Sequence, residues 1–287
     1  MPEAKWREVS DGVFLRSYQH LDINVCVVRG ADGLLLVDSR ASPAEAAEIE
    51  TDLDELGGGG VRWLVNTHAH FDHTFGNQHF GPGSRLEVPI YGHHLLPAHL
   101  HDYERPRLAA WRDGSGDEPA RDWEQVVITP PTHLVTARHS LRLGDRIVEL
   151  VPLGRGHTDN DLVVHVRDAN TWIVGDVVEA SGPPMFGSGC FPLDLPMTLG
   201  GLLEEIGSAD VIIPGHGPPV GREFVVTQVA DLRAMEVRLR ALHASGATVE
   251  QCLVAQDGWP FPVEGLALAV TRGFASLDEA DALPRTS

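Results

Sequence analysis

The sequence predicts a mixed α/β fold in which short apolar strands alternate with, and are followed by, helices. Short runs rich in Val, Leu and Ile, bounded by Gly, Pro, Asn or Asp, recur at the length of buried strands. One pair of these runs is separated by a helical segment, as in a βαβ unit. His and Asp residues follow several runs directly. A polar site at one edge of the sheets is therefore expected.

The predicted strands of the first half cover residues 13–15, 23–28, 34–38, 61–65 and 88–91. Ala31-Asp32-Gly33 supplies a hairpin turn between the second and third of them. Ser42-Pro43-Ala44-Glu45 opens a helix that extends to Leu56, because it combines a capping box with a proline in the first turn. Residues 34–65 therefore form a strand, a helix and a second strand.

The predicted strands of the second half cover residues 141–143, 147–151, 162–166, 171–174 and 210–213. Residues 95–132 lack periodicity and contain Pro, Gly, Arg and Asp with three isolated aromatics, Tyr103, Trp111 and Trp123. A lid-like insertion without regular structure is expected there. Its aromatics either wall an apolar substrate pocket or pack the loop onto the domain.

Two helices are predicted near the C-terminus, at 222–243 and 248–255, because apolar residues recur there at helical spacing. The tail from Trp259 onward carries apolar patches without a usable motif. We expect a catalytic domain at 1–220 and a helical extension at 221–287. The extension either packs on the domain or forms a contact in a homo-oligomer.

The composition excludes several classes of protein. With 43% hydrophobic and 22% charged residues, the chain can form a packed core. No apolar run approaches the roughly 20 residues that span a bilayer, so no membrane partner is expected. A formal net charge of -19 repels phosphate backbones, so nucleic acid is not an expected partner. Lys5 is the only lysine, which excludes Schiff-base chemistry and a P-loop lysine.

The N-terminus and the cysteines favour a reducing compartment. Residues 1–8 are charged and lack the apolar segment of a secretory signal, so a cytoplasmic location is expected. Cys26, Cys190 and Cys252 are widely spaced and odd in number, which argues against a disulfide framework.

The densest group of chemical side chains is His68-Ala69-His70-Phe71-Asp72-His73, which follows the predicted strand at 61–65. Three imidazoles and a carboxylate suit a divalent cation such as zinc. His68 and His70 can bind one ion from one side, while Asp72 and His73 face a neighbouring position. Two-metal centres hold their ions about 3.5–4 Å apart, so one short loop can supply ligands to both. The alternative interpretation is a solvated, His-rich turn.

Three further loops at strand ends each carry one residue of a ligand type: His157, Asp176 and His216. His157 lies on a glycine-hinged loop, where backbone freedom lets its imidazole reach sideways. Other histidines are expected to have structural or exposed roles, because they lie near chain-breaking residues or in a generally His-rich region: His79, His93, His94, His99 and His101.

Taken in order, these motifs resemble the metallo-β-lactamase fold superfamily: Asp38, His68-x-His70-x-Asp72-His73, Gly156-His157-Thr158, Gly175-Asp176 and Gly215-His216-Gly217. The resemblance covers about residues 10–220. It implies a four-layer αβ/βα sandwich of two mixed β-sheets with outer helices, and a metal centre at one edge between the sheets.

The resemblance also implies the ligands of two Zn²⁺ ions. The first ion would be bound by His68, His70 and His157, and the second by Asp72, His73 and His216, with Asp176 bridging both. Asp38 is either a turn-forming residue or a carboxylate that supports the metal ligands.

Two divalent ions outweigh the charge of Asp72 and Asp176, so the site stays positive and can hold an anionic or carbonyl substrate. Metal coordination lowers the pKa of water toward about 7 and supplies a bridging hydroxide that attacks the substrate. Asp72 and Asp176 are the predicted catalytic residues, with Asp72 handling the proton.

The expected reaction is hydrolysis of a small ester, thioester, lactone or amide. Asp176 resembles the glyoxalase II, lactonase and general hydrolase branches. The main subclass of true β-lactamases instead has a cysteine there, with a lysine just after it. The alternatives are a phosphodiesterase on a small nucleotide and a mono-iron persulfide dioxygenase that uses a subset of the ligands. A metal-free scaffold would have lost some of the seven ligands, and none is lost.

Overall fold

The protein is described by a computed structural model that covers residues 5–19, 21–57, 59–116, 122–254 and 258–282. A seven-stranded sheet has its strands in sequence order: β1 (Arg7–Ser10), β2 (Val13–Tyr18), β3 (Ile23–Gly30), β4 (Gly33–Val37), β5 (Val61–Val65), β6 (Ile90–His93) and β7 (His133–Val135). A five-stranded sheet contains β8 (His139–Leu143), β9 (Arg146–Pro152), β10 (Leu162–Val166), β11 (Thr171–Gly175) and β12 (Val211–Pro214).

The helices lie outside the sheets and at the site edge. They are α1 (Pro43–Leu53), α2 (Phe71–Thr74), α3 (Asn77–Phe80), α4 (Leu96–His99), α5 (Arg105–Arg112), α6 (Leu195–Glu205), α7 (Arg222–Ala244), α8 (Val249–Val254) and α9 (Ala267–Ala282). Within the described residues, no helix is both long and apolar enough to cross a bilayer.

Both sheets are mixed, as predicted. In the first sheet β1 to β4 pair antiparallel and β4 to β7 pair parallel. In the second sheet β8 to β11 pair antiparallel, and β12 joins β11 in parallel. The predicted strand, helix and strand at 34–65 are confirmed as β4, α1 and β5. Ser42 caps α1 by accepting a hydrogen bond from the Glu45 amide at 3.2 Å.

Three hydrophobic clusters separate four layers. The cluster between the sheets joins side chains of both, such as Leu35 and Val164. The outer face of the first sheet packs on α1. The outer face of the second sheet packs on α6, α7 and α9. The predicted four-layer sandwich is confirmed, because each sheet buries one face against the other sheet and the opposite face against helices.

The prediction of irregular structure at 95–132 is wrong for residues 96–112. This stretch runs through α4, a π-helical segment at Leu100–Glu104 and α5 without a break. Pro97 lies in the first turn of α4, where its missing N–H costs little, and Pro106 lies just after the π-helical segment, where the hydrogen-bond register of the helix changes. The insertion therefore presents a helix, and not a loop, beside the site.

The C-terminal segment is helical, and its core is shared with the second sheet. The predicted helix at 222–243 is confirmed as α7, and the one at 248–255 is α8, although Ala255 lies outside the described residues. The tail beyond Trp259, for which no element was predicted, forms α9. Gly273 on α9 lets that helix approach Leu239 of α7, whose side chain would lie 3.2 Å from a Cβ at Gly273.

Candidate metal centre

The predicted site residues converge at one edge of the sandwich, at the ends of strands from both sheets. The His68 loop follows β5, Asp176 follows β11 directly, and His216 follows β12. Backbone hydrogen bonds join the two sheets here, with the Asn24 amide donating to the Gly215 carbonyl at 2.8 Å. Gly215 must lack a side chain, because a Cβ would collide with Asp176 Oδ1.

The first group of ligand atoms comes from His68, His70, His157 and Asp176. His70 Nδ1 lies 3.0 Å from His68 Nε2 and 2.9 Å from His157 Nε2. Asp176 Oδ2 lies 3.7 Å from His68 Nε2 and 3.5 Å from His157 Nε2. Ligands about 2.0–2.1 Å from a tetrahedral zinc ion lie roughly 3.3 Å apart, so these spacings fit one ion.

The second group comes from Asp72, His73 and His216, and Asp176 reaches it as well. Asp72 Oδ2 lies 3.7 Å from His73 Nε2 and 3.3 Å from His216 Nε2. Asp176 Oδ1 lies 3.4 Å from His73 Nε2, and its Oδ2 lies 3.5 Å from His216 Nε2. The carboxylate of Asp176 therefore faces both groups.

Hydrogen bonds on the far sides of two rings in the first group fix the tautomers of His68 and His70. His70 Nε2 donates to the Ser188 carbonyl at 3.0 Å, so His70 Nδ1 carries a lone pair. The Thr67 hydroxyl donates to Asp38 at 2.8 Å and accepts from His68 Nδ1 at 3.1 Å, so His68 Nε2 carries a lone pair. The contact between His68 and His70 thus brings two lone pairs together, which a cation between them would stabilise.

The second group is oriented in the same way. His73 Nδ1 donates to Asp38 Oδ2 at 2.8 Å, and His216 Nδ1 donates to the Leu21 carbonyl at 2.7 Å. Both rings therefore direct Nε2 at the carboxylates. His73 Nε2 and Asp176 Oδ1 are buried without a hydrogen-bond partner among the described residues. The two atoms lie 3.4 Å apart, so each is the other's ion-pair partner when His73 is protonated, and a metal ion could bind both when it is not.

The contacts of Asp38 favour the interpretation that it supports the candidate metal ligands over the one that it only forms a turn. Asp38 is buried and has a φ of +66°, and it accepts hydrogen bonds from the Thr67 amide, the Thr67 hydroxyl and His73. It thereby orients His73 directly and His68 through Thr67.

Burial and charge divide the histidines into two electrostatic classes. Burial lowers the pKa of His68, His70 and His157, so these rings are neutral at pH 7. Burial would also lower the pKa of His73 and His216, but Asp176 and Asp72 outweigh it and raise both, that of His216 to about 12. The first group therefore offers free lone pairs, whereas the second forms ion pairs in the metal-free protein.

Comparison with known proteins places this geometry in a family. Residues 19–240 match the family described as the Metallo-beta-lactamase superfamily. The chain belongs to this superfamily. Solved structures of the superfamily fold are similar to it, although at 17–20% identity they show the fold alone.

A metallo-beta-lactamase from Pontibacter korlensis is 18% identical with a TM-score of 0.62, covering 80% of this chain and 99% of that one. The metallo-beta-lactamase FIM-1 from Pseudomonas aeruginosa, in its mono-zinc form, is 20% identical with a TM-score of 0.60, covering 80% and 94%. A double mutant of the sec-alkyl sulfatase PisA1 is 17% identical with a TM-score of 0.76, and the match covers 98% of this chain but 52% of the sulfatase.

In this superfamily member, residues from both groups line an open cleft of about 330 Å³, namely His70, Asp72, His157, Asp176 and His216. Its walls are partly apolar and partly polar, and are formed by Leu21, Phe71, Arg107, Trp111, Glu179, Ser181, Met185 and Gly187. Trp111 therefore lines the cleft, as one prediction for the aromatics proposed. Trp123 stacks behind it with ring centroids 4.6 Å apart. Tyr103 packs against His99 instead, with ring centroids 4.6 Å apart.

Sequence reasoning missed a buried layer behind His70. His99 and Glu104, on the 96–112 helix, form a third group of ligand-type atoms with His70. We assign no metal to it, because His70 Nε2 already donates to Ser188 and the guanidinium of Arg107 lies 3.3 Å from Glu104. The spacing of His99 and Glu104 becomes visible only once the segment is known to be helical.

The other histidines lie outside the three groups. His79 pairs with Glu50 at 2.7 Å, in agreement with the structural role predicted for it. His93 is buried and accepts a hydrogen bond from the Leu95 amide at 3.2 Å, while its ring packs against that of His94.

Proposed function

We propose that the chain is a metal-dependent hydrolase with two metal ions, cleaving a small ester, thioester, lactone or amide. The observation that supports this most directly is the contact between His68 Nε2 and His70 Nδ1, whose outer hydrogen bonds leave two lone pairs facing each other at 3.0 Å. Five further ligand-type residues lie around this pair: Asp72, His73, His157, Asp176 and His216. Asp176, which faces both groups, is the proposed bridge between the ions.

Asp72 has a proposed role in proton transfer beside the metal ions. Bound divalent ions would supply hydroxide at neutral pH and polarise the scissile group. Burial would raise the pKa of Asp72, but His73 and His216 outweigh it and lower this pKa, so Asp72 is ionised. Because Asp72 also lines the cleft, it can accept a proton from the nucleophile and return it to the leaving group.

The size and the walls of the cleft support a small substrate. About 330 Å³ accommodates a small molecule, and the mixed walls suit a partly apolar one. Since the sec-alkyl sulfatase PisA1 is similar over 98% of this chain, alkyl sulfate esters belong in the substrate panel beside esters, thioesters, lactones, lactams and phosphodiesters.

Elemental analysis of protein purified without added metal tests the proposal. We expect close to two zinc ions per chain, with turnover of at least one ester-type substrate that is lost on chelation and recovered with zinc. A single iron per chain, with oxygen uptake on persulfides, would replace the hydrolase by a dioxygenase. Failure to bind any divalent ion after dialysis against zinc would refute the metal centre.

The two ions are expected to differ in pH dependence. His73 and His216 have raised pKa values and hold protons at pH 7, so the second ion must displace about two protons. His68, His70 and His157 have lowered pKa values and release few. From pH 6 to 8 the affinity for the second ion should rise by up to about 100-fold per unit, while that for the first changes little.

Zinc titration calorimetry in two buffers of different ionisation enthalpy measures the protons released at each step. Equal proton release for both ions would contradict the division into two electrostatic classes.

A further inference from the structure

The cleft contains one fixed cation that the metal centre does not use. The chain carries a formal net charge of -19 and its single lysine is Lys5, so a fixed positive side chain near the site must be an arginine. Among the described residues that line the cleft, Arg107 is the only Lys or Arg. The negative net charge of the chain repels anions. An anionic group in the cleft would therefore be attracted only by local positive charges, which are Arg107 and the proposed metal ions.

Contacts on three sides hold the guanidinium of Arg107 in place. Its carbon lies 5.7 Å from the ring centroids of both Phe71 and Trp111. One terminal nitrogen lies 3.3 Å from Glu104, and the other donates to the Ser188 hydroxyl. These contacts fix the orientation of the fork before any ligand binds, which lowers the entropy cost of recognition.

These contacts leave part of the guanidinium available. Arginine has five N–H donors in a planar fork, and Glu104 and Ser188 together face only some of them. The side chain is 26% exposed and lines the cleft, whereas Glu104 is fully buried behind it. Glu104 therefore anchors Arg107 from within the protein, while the outer side of Arg107 faces the cleft.

Apolar side chains line the cleft beside Arg107. The rings of Phe71 and Trp111 are in edge contact with centroids 4.8 Å apart. Leu21 and Met185 lie at the rim with 37% and 64% of their surfaces exposed. Phe71 is the neighbour in sequence of the ligand-type residues His70 and Asp72, and its ring also contacts Arg107. The apolar wall therefore connects the proposed metal positions with the guanidinium.

We propose that the substrate carries an anionic group, separated from the scissile bond by an apolar chain or ring, and that Arg107 binds this anion. The inference rests on the proposed hydrolase function and specifies its substrate class. The reacting group lies at the metals, the apolar spacer along Phe71 and Trp111, and the distal anion on Arg107. A guanidinium suits a carboxylate, sulfate or phosphate group equally, because it offers paired donors to two oxygens.

A matched pair of esters tests the proposal by kinetics. 4-Nitrophenyl hexanoate and the 4-nitrophenyl monoester of adipic acid have acyl chains of equal length and differ only in a terminal carboxylate. We expect the metal-loaded wild-type enzyme to prefer the adipate ester, mainly through KM. Arg107→Gln should lower the ratio of the two kcat/KM values by about tenfold or more, as expected for loss of a charge-assisted hydrogen bond.

Three further variants distinguish recognition from structure. Arg105→Gln makes the same charge change at an exposed position of α5 that does not line the cleft, and it should keep the wild-type ratio. Arg107→Lys should recover part of the preference. If Arg107→Gln folds poorly because Glu104 is left buried without its partner, Glu104→Gln combined with Arg107→Gln removes both charges and should show the same loss of preference. Equal loss for both esters would overturn the proposal and assign Arg107 a structural role.

A binding measurement tests the role of Arg107 without requiring turnover, so its outcome does not depend on the hydrolase proposal. Adipic acid monoanilide and hexananilide are poorly cleaved analogues of the same pair, and their affinities can be measured by calorimetry on metal-loaded protein. We expect the monoanilide to bind about tenfold more tightly to wild type and to Arg105→Gln, and the difference to disappear in Arg107→Gln. An unchanged difference in Arg107→Gln would mean that the metals bind the anion, and would overturn the assignment even if no ester is turned over.

Discussion

Asp176→Ala is expected to lower the metal content from two ions per chain to one or none and to reduce turnover by about 1000-fold or more. The reason is its position between the two groups. Asp176 Oδ2 lies 3.5 Å from His157 Nε2 and 3.5 Å from His216 Nε2, so one carboxylate faces ligands of both ions. Asp176 is the main cause of the raised pKa of His73, so this pKa falls in the variant. The second group also loses the carboxylate that it shares with the first.

The measurement combines zinc content with steady-state kinetics on the best substrate of the panel. Asp168→Ala is the matched control, because Asp168 is a half-exposed carboxylate that pairs with Arg146 away from the cleft. That variant should keep two ions and the wild-type rate. Wild-type metal content and rate in Asp176→Ala would refute the bridging role.

The convergence of the candidate metal ligands was predictable because it depends on strand ends. The apolar runs of β5, β11 and β12 are unambiguous in sequence, and parallel neighbours within a sheet end at the same edge. Asp176 and His216, which follow β11 and β12, therefore lie at one edge of the second sheet, and the packing of the two sheets brings His68 after β5 to the same place. The sequence did not predict the hydrogen-bond partners on the far sides of the rings. The Ser188 carbonyl accepts from His70, and the Leu21 carbonyl accepts from His216.

The cleft wall was not predictable, because its helix lacks the usual signals. Residues 96–112 include two prolines and many charged side chains, which hide the helical period. Pro97 occupies a first turn, and a π-helical segment shifts the register just before Pro106. Arg107 and Glu104 therefore went unnoticed, although they lie three residues apart and form a pair across one turn.

The missed strands have a different cause. β1 and β7 are edge strands of three or four residues, with mostly polar or exposed side chains. An edge strand gains backbone hydrogen bonds from one neighbour only and contributes little to the core, so hydrophobic pattern does not reveal it. Such strands form because a neighbouring strand is available for pairing. Their presence therefore depends on tertiary structure and not on their own sequence.

Asp38→Ala is expected to destabilise the protein and to weaken the second metal position. Asp38 accepts hydrogen bonds from the Thr67 amide, the Thr67 hydroxyl and His73 Nδ1, each at 2.8 Å. Its removal leaves buried donors unpaired, and its φ of +66° costs alanine more than aspartate. The free energy of unfolding should fall by about 3 kcal/mol or more.

Metal binding separates this support role from general destabilisation. Because Asp38 contacts His73 directly but reaches His68 only through Thr67, affinity for the second ion should fall by about 10- to 100-fold and that for the first by less. Asp38→Asn tolerates the same backbone conformation and keeps one acceptor oxygen, so it should lie between wild type and Asp38→Ala in both stability and affinity. Urea unfolding of the metal-free protein and stepwise zinc titration give the two quantities. An equal loss of affinity for both ions would mean that Asp38 acts by holding the ends of β4 and β5 together, and not by orienting His73.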